Sequence, residues 1–295
     1  TSTPSTPSAT EGVNGENAAP AATAQYYNTY MSADPTSMDI SRISDSYSSG
    51  VVNNVMESLV RMGEKDGNYV IIPGDAQTWE SNAEGTVWTF HLGNNTWSDG
   101  QPVTAHDYVY SLRRSANPET GCPNEYFLLP VAGYNEVRDG AALETLGVKA
   151  LDDKTLEVTL NNAVAYWNEL LAFPTYFPVR EDVVANEAWA TDASTYVSNG
   201  AYTMTGWEHN STITLTKNEN YHGAADVTMN EIKFYLSDDA NNMLTNFKNG
   251  TWQLIDDVPT NEIAALKVEY PDEFVIAGQI GTYYVCWNIN EPLLP

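Results

Sequence analysis

Residues 97–112 read WSDGQPVTAHDYVYSL, a segment in which a tight turn leads into a helix. The Ser-Asp-Gly composition of residues 98–100 is typical of a turn. Thr104 is a favourable N-cap, and Asp107 follows three residues later, as in a capping box. The helix is predicted to end before Asn117 and Pro118. Its apolar residues recur at helical spacing: Ala105, Tyr108, Val109 and Leu112.

The polar residues of this segment have an ordinary structural explanation. Turn and cap chemistry is the commonest use of such side chains, so we interpret Asp99, His106 and Asp107 in that way and predict no catalytic residue. The preceding residues 86–92 alternate in polarity, which predicts a strand with one buried face. That face would carry Trp88, Phe90 and Leu92.

Composition limits the classes of partner. The chain has 295 residues, 42% of them apolar, with eight Trp and eighteen Tyr, enough for a substantial core and aromatic clefts. Its 39 acidic against 13 basic residues give a formal net charge of −26. Nucleic acid and an anionic membrane surface are therefore unfavoured partners, because both require clustered Lys and Arg. No apolar run approaches the length needed to span a bilayer.

Two cysteines, Cys122 and Cys286, provide neither a disulfide framework nor a zinc pattern. Burial of one or both thiols is the favoured interpretation, and a bridge between them is the alternative. The four histidines are scattered, and no EF-hand spacing, Walker loop or Gly-x-Ser-x-Gly motif is present. We therefore predict no metal site and no cofactor.

Strand and helix patterns alternate along the chain, which predicts an α/β fold. Residues 1–25 differ, because Ser, Thr, Pro and Ala dominate there, and they are expected to form a disordered tether. The predicted helices are 51–60, 164–172, 238–249 closed by Gly250, and 261–268 capped by Thr260. The predicted strands are 26–30, 86–92, 147–151, 155–160, 200–204, 211–216, 231–236, 274–277 and 282–289.

Six further segments occur in an order that resembles one protein family. They are LGVKALDDKTLEVTL at 146–160, SNGAY at 198–202 with Trp207, KNENY at 217–221, FKNG at 247–250 with LID at 254–256, TYY at 282–284 and NIN at 288–290. Together with residues 97–112, they resemble the oligopeptide- and dipeptide-binding family (family 5) of extracytoplasmic solute-binding proteins that serve ABC importers. The resemblance covers residues 26 to 295, and the oligopeptide branch is the most similar.

The resemblance implies a type II periplasmic-binding-protein fold with two lobes around a cleft. It predicts a main α/β subdomain of lobe one from residues 26–56 and 181–281, with residues 57–180 inserted as a small subdomain. Residues 282–295 would begin the crossover to the second lobe. That lobe would be largely absent, so the sequence is interpreted as C-terminally truncated.

The resemblance also assigns candidate ligand contacts. The loop before the first helix matches Ser44, Asp45, Ser46 and Tyr47, whose small polar residues could expose backbone groups to a peptide. Tyr126 lies near the position of the family's cleft tyrosine, and Phe247 falls where the oligopeptide branch often has Tyr. On the crossing strand, Tyr284 matches the family's contacting position.

The implied function is capture of extracellular oligopeptides through backbone hydrogen bonds, followed by delivery to ABC permease subunits in the membrane. The implied protein is a monomer without enzymatic activity, extracellular or periplasmic, and lipid-anchored to the outer face of the cytoplasmic membrane.

Alternative functions remain open at this point. The same fold could bind an oligosaccharide or a nickel complex, the chain could be a surface adhesion module, or acid pairs such as those at 152–153, 238–239 and 256–257 could serve a secreted hydrolase.

Overall fold

The computed structural model describes residues 25–278 and 281–287. The predicted tether, apart from Gln25, and the final residues of the last predicted strand lie outside the described residues. Within the described ranges the strands are β1 Tyr26–Met31, β2 Val60–Lys65, β3 Asn68–Pro73, β4 Ala76–Ser81, β5 Val87–Leu92, β6 Val148–Asp152, β7 Thr155–Thr159, β8 Tyr202–Glu208, β9 Thr212–Lys217 and β10 Glu231–Leu236. The α-helices are α1 Ser46–Val55, α2 Ala105–Ala116, α3 Tyr134–Arg138, α4 Trp167–Leu171, α5 Glu181–Val184, α6 Ala240–Lys248 and α7 Ile263–Glu269.

One four-stranded sheet combines distant parts of the chain in the order β1-β10-β9-β8. β1 runs parallel to β10, with Tyr26 opposite Glu231 and Met31 opposite Leu236, whereas the other pairs are antiparallel. Ile213 and Leu215 of β9 are fully buried on the core face. The outer edge of β1 is partly covered, because residue Leu254 forms a parallel bridge with Thr29.

A second four-stranded sheet is antiparallel throughout and has the order β4-β5-β7-β6. The predicted alternation of β5 is confirmed at Phe90 and Leu92, which are buried. The hairpin of β6 and β7 was also predicted, and it buries Leu156 and Val158 on one face. β2 and β3 form a separate two-stranded hairpin whose tip residues, Asp66 and Gly67, adopt positive φ.

Helix α2 packs against the second sheet and begins as residues 97–112 predict. The Asp107 carboxylate accepts hydrogen bonds from the Thr104 backbone N–H at 2.8 Å and from the Thr104 hydroxyl at 3.1 Å. Asp99 lies in the preceding turn and pairs with Arg180 at 2.6 Å. His106 is mostly exposed, 3.4 Å from Asp153. The turn and cap interpretation is therefore confirmed for Asp99 and Asp107, whereas His106 pairs with Asp153 instead.

Lys154, in the Asp-Asp-Lys turn of the β6–β7 hairpin, holds the connection between β5 and α2, a role that the sequence did not predict. The Lys154 ammonium donates to the backbone carbonyl oxygens of Gly93 at 2.8 Å and Val103 at 2.9 Å. Both carbonyls belong to the connection between β5 and α2. The turn therefore fixes the path of residues 93–103, because a buried carbonyl without a donor would be costly.

Several predicted boundaries are wrong. The helix predicted at 51–60 spans Ser46–Val55, because Asp45 caps it and residue 60 already begins β2. The helix predicted at 261–268 begins at Ile263 with Glu262 as its N-cap, not Thr260. That predicted at 164–172 is confined to Trp167–Leu171. Residues 274–277 and 282–287 are not strands, since within the described residues no neighbouring strand supplies the hydrogen-bond ladder that a strand requires.

The cysteine alternatives are resolved by the structure. Cys122 is buried and Cys286 is exposed, and both are free, so no bridge joins them. Among the described residues, no group of three or more His, Cys, Asp or Glu side chains is placed to hold a metal ion. Across residues 25–278 and 281–287, none of the helices has the length and apolar character to cross a membrane.

Candidate functional site

The loop predicted before the first helix is partly the first turn of that helix. Ser44 precedes the N-cap Asp45, while Ser46 and Tyr47 are the first residues of α1. We call residues 44–47 the helix-start loop. Ser44, Ser46 and Tyr47 are exposed, and Asp45 is half-buried. The first N–H groups of a helix have no carbonyl partner within the helix, so this loop presents backbone donors at an exposed surface.

Asp45 organises the start of α1. Its carboxylate accepts hydrogen bonds from the Ser48 backbone N–H at 2.7 Å, from the Ser48 hydroxyl at 2.8 Å and from the Thr36 hydroxyl. Burial opposes ionisation, but the hydrogen bonds from Ser48 and Thr36 outweigh it and lower the pKa of Asp45. The residue therefore remains ionised at neutral pH and serves as the helix cap.

A buried ion pair holds the segment that leads into the helix-start loop. Asp39 binds Arg114 of α2 through two hydrogen bonds, at 2.7 and 2.6 Å. Both side chains are largely buried, with 8% and 12% of their surfaces exposed. Tyr196 also donates to the Met38 carbonyl at 3.1 Å. The segment is further anchored by buried side chains of Met38, Ile40 and Ile43. The helix-start loop thus sits on a fixed support.

Tyr126 lies close to this loop. The Asn124 side-chain amide donates to the Ile43 carbonyl at 2.9 Å, which joins the 121–126 loop to the residue before Ser44. Tyr126 is 57% exposed, and its ring lies against Phe127 with centroids 4.6 Å apart. The Asn124 hydrogen bond therefore links the segment that carries Tyr126 to the segment that leads into the helix-start loop.

Phe247 and Tyr284 have no such link to the helix-start loop within the described residues. Phe247 lies on α6 and packs edge-on against Tyr270, with centroids 5.4 Å apart. It lines a cavity of about 870 Å³ together with Leu244, residues of α7 and residues 273–278. Tyr284 is 73% exposed in the 281–287 segment. No hydrogen bond or ring contact between described residues joins either aromatic side chain to the helix-start loop.

A buried polar network beneath α1 was missed by the sequence reasoning. The Asn199 side chain accepts from the Glu57 N–H at 3.0 Å and donates to the Glu57 carbonyl at 3.1 Å and to Asp75 at 2.8 Å. Asp75 also accepts from Asn95 at 2.6 Å and from Tyr108 at 2.7 Å. We call these five residues the Asn199 network. It joins the end of α1, the second sheet and α2 at one point.

The electrostatics of this network are those of a structural site. Burial, and secondarily the charge of Glu57, raises the pKa of Asp75 well above its usual range. Glu57 lies 3.3 Å from Arg61 and 3.6 Å from His222, and Tyr221 donates to it. Both carboxylate oxygens of Asp75 accept from protein donors inside the core, and all five residues of the network are buried, so the network offers no exposed group to a substrate. The sequence signal that could have indicated this network was the pair of segments SNGAY and KNENY, which contain Asn199 and Tyr221.

Gly200, which follows Asn199 in the SNGAY segment, lies too close to the end of α1 for any residue with a Cβ atom. Gly200 donates to the Val55 carbonyl at 2.9 Å, at the end of α1. A Cβ atom on Gly200 would lie 2.5 Å from the Val55 carbonyl carbon, which is sterically forbidden. Close approach of the two backbones therefore positions the Asn199 side chain against Glu57.

Two of the acid pairs considered for a hydrolase contain a residue with a structural role, Asp152 in a turn and Asp239 at a helix cap. Asp152 accepts from the Lys154 N–H at 2.8 Å in the β6–β7 turn. Asp239 is the N-cap of α6, with hydrogen bonds from Asn241 and Asn242. Asp256 and Asp257 line the cavity beside Phe247 without forming a hydrogen bond in the described region. These arrangements provide no acid–base pair around a nucleophile.

Comparison with known proteins identifies the relatives of this chain. The sequence profile described as bacterial extracellular solute-binding proteins, family 5 Middle, matches residues 70–294. The periplasmic oligopeptide-binding protein OppA of Escherichia coli strain K12 is 34% identical over 263 residues, covering 87% of this chain and 48% of that protein. A probable deoxycholate-binding periplasmic protein of the same strain, YgiS, is 31% identical over 283 residues, covering 92% and 51%.

Solved structures agree with the sequence relatives. The structure of Haemophilus influenzae OppA in complex with the peptide RPPGFSPFR matches with a TM-score of 0.79 and 30% identity, covering 85% of this chain and 49% of that one. The predicted α/β fold of the type II periplasmic-binding kind is confirmed. The chain spans about half the length of the curated relatives it matches.

Proposed function

Because this chain belongs to the bacterial extracellular solute-binding proteins of family 5, we propose that it supplies one side of a cleft that captures oligopeptides for an ABC importer. The observation that supports this most is the helix-start loop, where the N–H groups of Ser46 and Tyr47 lie in the exposed first turn of α1 and have no carbonyl partner within the helix. Relatives named as oligopeptide-binding proteins, one of them solved with a peptide, favour this ligand class.

The proposed mechanism of capture is recognition of the peptide main chain. An extended peptide has carbonyl oxygens that can accept hydrogen bonds from exposed N–H groups, as in strand addition. Such contacts give affinity without depending on side-chain identity. Ser44, Asp45, Ser46 and Tyr47 would contribute through their backbone, with Tyr126 alongside. Phe247 on α6 and Tyr284 in the 281–287 segment remain predicted peptide contacts, away from the helix-start loop.

Binding without catalysis is the proposed role. The relatives are named as binding proteins, and Asp152 and Asp239 of the acid pairs serve as turn and cap residues. Partners would be ABC permease subunits at the membrane, with the protein monomeric. Family members are extracellular or periplasmic, and we further propose a lipid anchor to the outer face of the cytoplasmic membrane.

We also propose the subdomain division given by the resemblance. The first sheet draws its strands from residues 26–31 and 202–236, whereas β2 to β7 all lie between residues 60 and 159. This distribution supports a main subdomain of 26–56 and 181–281 with 57–180 inserted. The Asn199 network joins the two parts, since Glu57 and Asp75 belong to the inserted part and Asn199 belongs to the main part.

The test is ligand retention by the complete product of the gene that encodes this chain. The purified protein would be incubated separately with a random peptide pool, an oligosaccharide mixture, a nickel chelate and deoxycholate, then desalted and measured by native mass spectrometry. We expect retained masses that match peptides of several sequences, because main-chain contacts do not select one side chain.

Each other result contradicts the proposal in a specific way. Retention of the oligosaccharide, the nickel chelate or deoxycholate without any peptide would assign the cleft to that ligand. Cleavage of the peptides during incubation would indicate a hydrolase. Absence of every retained ligand would contradict the transport role itself.

A further inference from the structure

Three aromatic side chains lie in contact at a surface whose segment is hydrogen-bonded, through Asn124, to the residue before the helix-start loop. The rings of Tyr126 and Phe127 have centroids 4.6 Å apart, and those of Phe127 and Phe173 are 4.2 Å apart. Tyr126 is 57% exposed and Phe173 is 38% exposed. We call these three residues the aromatic stack. Phe127, at its centre, packs partly against the core, and the outer two rings face solvent.

The stack is held rigidly from below. The Tyr176 hydroxyl donates to the Phe127 carbonyl at 2.6 Å, and Tyr176 itself is buried, with its ring edge-on to that of Trp167 at 5.6 Å. Leu128, the next residue after Phe127, is fully buried. Aromatic groups fixed in this way lose little conformational entropy when a ligand packs on them, which is the property of binding anchors.

The position of the stack relates it to the proposed peptide path. Asn124 donates to the Ile43 carbonyl at 2.9 Å, Ser44 follows Ile43 directly, and Tyr126 lies two residues after Asn124. Two residues of chain span at most about 7 Å. A peptide whose main chain contacts the helix-start loop would therefore place a neighbouring side chain within reach of the stack, since side chains alternate along an extended backbone.

The charge around the stack favours an apolar occupant. Glu125, the acidic residue next to Tyr126, is paired with Arg138. Its charge is thus compensated within the protein, and the exposed members of the stack are the aromatic residues Tyr126 and Phe173. Apolar side chains gain affinity there by removing two apolar surfaces from water.

We propose that the aromatic stack is a subsite that takes one aromatic or branched aliphatic side chain of the bound peptide. The inference rests on the proposed function and adds a side-chain preference to it. Main-chain contacts would supply the common affinity, and the stack would rank peptides by the residue at one position.

The test uses the complete gene product and five synthetic peptides, tetra-alanine and the four variants that carry a single Phe. Dissociation constants would be measured by calorimetry. We expect Phe at one position to bind about tenfold more tightly than Ala at the same position, as burial of a large apolar side chain predicts. Phe173→Ala should reduce this ratio to about twofold or less, whereas Phe173→Leu should retain most of it.

Tyr69→Ala is the matched control, because Tyr69 is an 83% exposed aromatic residue on β3, outside the stack. It should leave the ratio unchanged. Binding of all five peptides with equal affinity, or a Phe preference that survives Phe173→Ala, would overturn the subsite while leaving the proposed function intact. Failure of the protein to bind any peptide, in this assay and from the random pool, would overturn the proposed function and the subsite with it.

Discussion

Replacing Asn199 by alanine should lower the free energy of unfolding by about 3–5 kcal/mol. The substitution removes both hydrogen bonds to the Glu57 backbone and one of the three donors to Asp75. All of these groups are buried, so water cannot replace the lost partner. An unsatisfied buried polar group costs about 1–3 kcal/mol, and two are created at once, the Glu57 N–H and the Glu57 carbonyl, while Asp75 keeps its hydrogen bonds from Tyr108 and Asn95.

Urea unfolding followed by tryptophan fluorescence would measure this change. Asn53→Ala is the matched control, because Asn53 is exposed on α1 and forms no hydrogen bond through its side chain within the described region. Its effect should stay within about 0.5 kcal/mol. A loss below about 1 kcal/mol for Asn199→Ala would show that the network contributes little to holding α1 against the second sheet.

Replacing Arg114 by methionine should be similarly damaging, at about 3 kcal/mol or more. Methionine keeps much of the buried volume but removes both Arg114 hydrogen bonds, which leaves the Asp39 carboxylate with only the Ser41 N–H as a donor, at 3.0 Å. Arg42 approaches Asp39 only at 3.7 Å and is 61% exposed, so it compensates weakly. Breaking one partner of a buried pair is costly because the other charge stays buried.

A second substitution separates the charge effect from loss of packing. Asp39→Asn in the Arg114→Met background removes the stranded charge and should recover part of the lost stability. Arg42→Met, which removes the exposed cation near the same carboxylate, should cost no more than about 1 kcal/mol. Equal stability losses for Arg42→Met and Arg114→Met, measured by chemical unfolding, would contradict the assignment of the buried pair as the support of the helix-start loop.

Local sequence signals predicted the elements that depend on local interactions. Helix α2 and the β6–β7 hairpin were recognised because cap, turn and alternation are all encoded within a few residues. β2, β3 and β4 were missed, since their residues are mostly exposed or half-buried and do not alternate clearly. The start of α1 was misplaced because the apolar stripe begins at Val51, five residues after the helix itself.

The candidate site was predictable only in part. The helix-start loop and Tyr126 came from the family resemblance, and the structure links their segments through the Asn124–Ile43 hydrogen bond. The Asn199 network depends on contacts between residues separated by 142 and 124 positions, which periodicity cannot reveal. The aromatic stack was missed for the same reason, since Phe173 meets Phe127 only through the tertiary fold.

Amide hydrogen exchange tests most directly whether peptides bind at the helix-start loop. The complete gene product would be compared with and without a peptide recovered from the random pool, with exchange followed by mass spectrometry. We expect slower exchange in residues 44–47 when the peptide is bound, and unchanged exchange in the β2–β3 hairpin. Unchanged exchange at 44–47 in a protein saturated with peptide would contradict this binding surface.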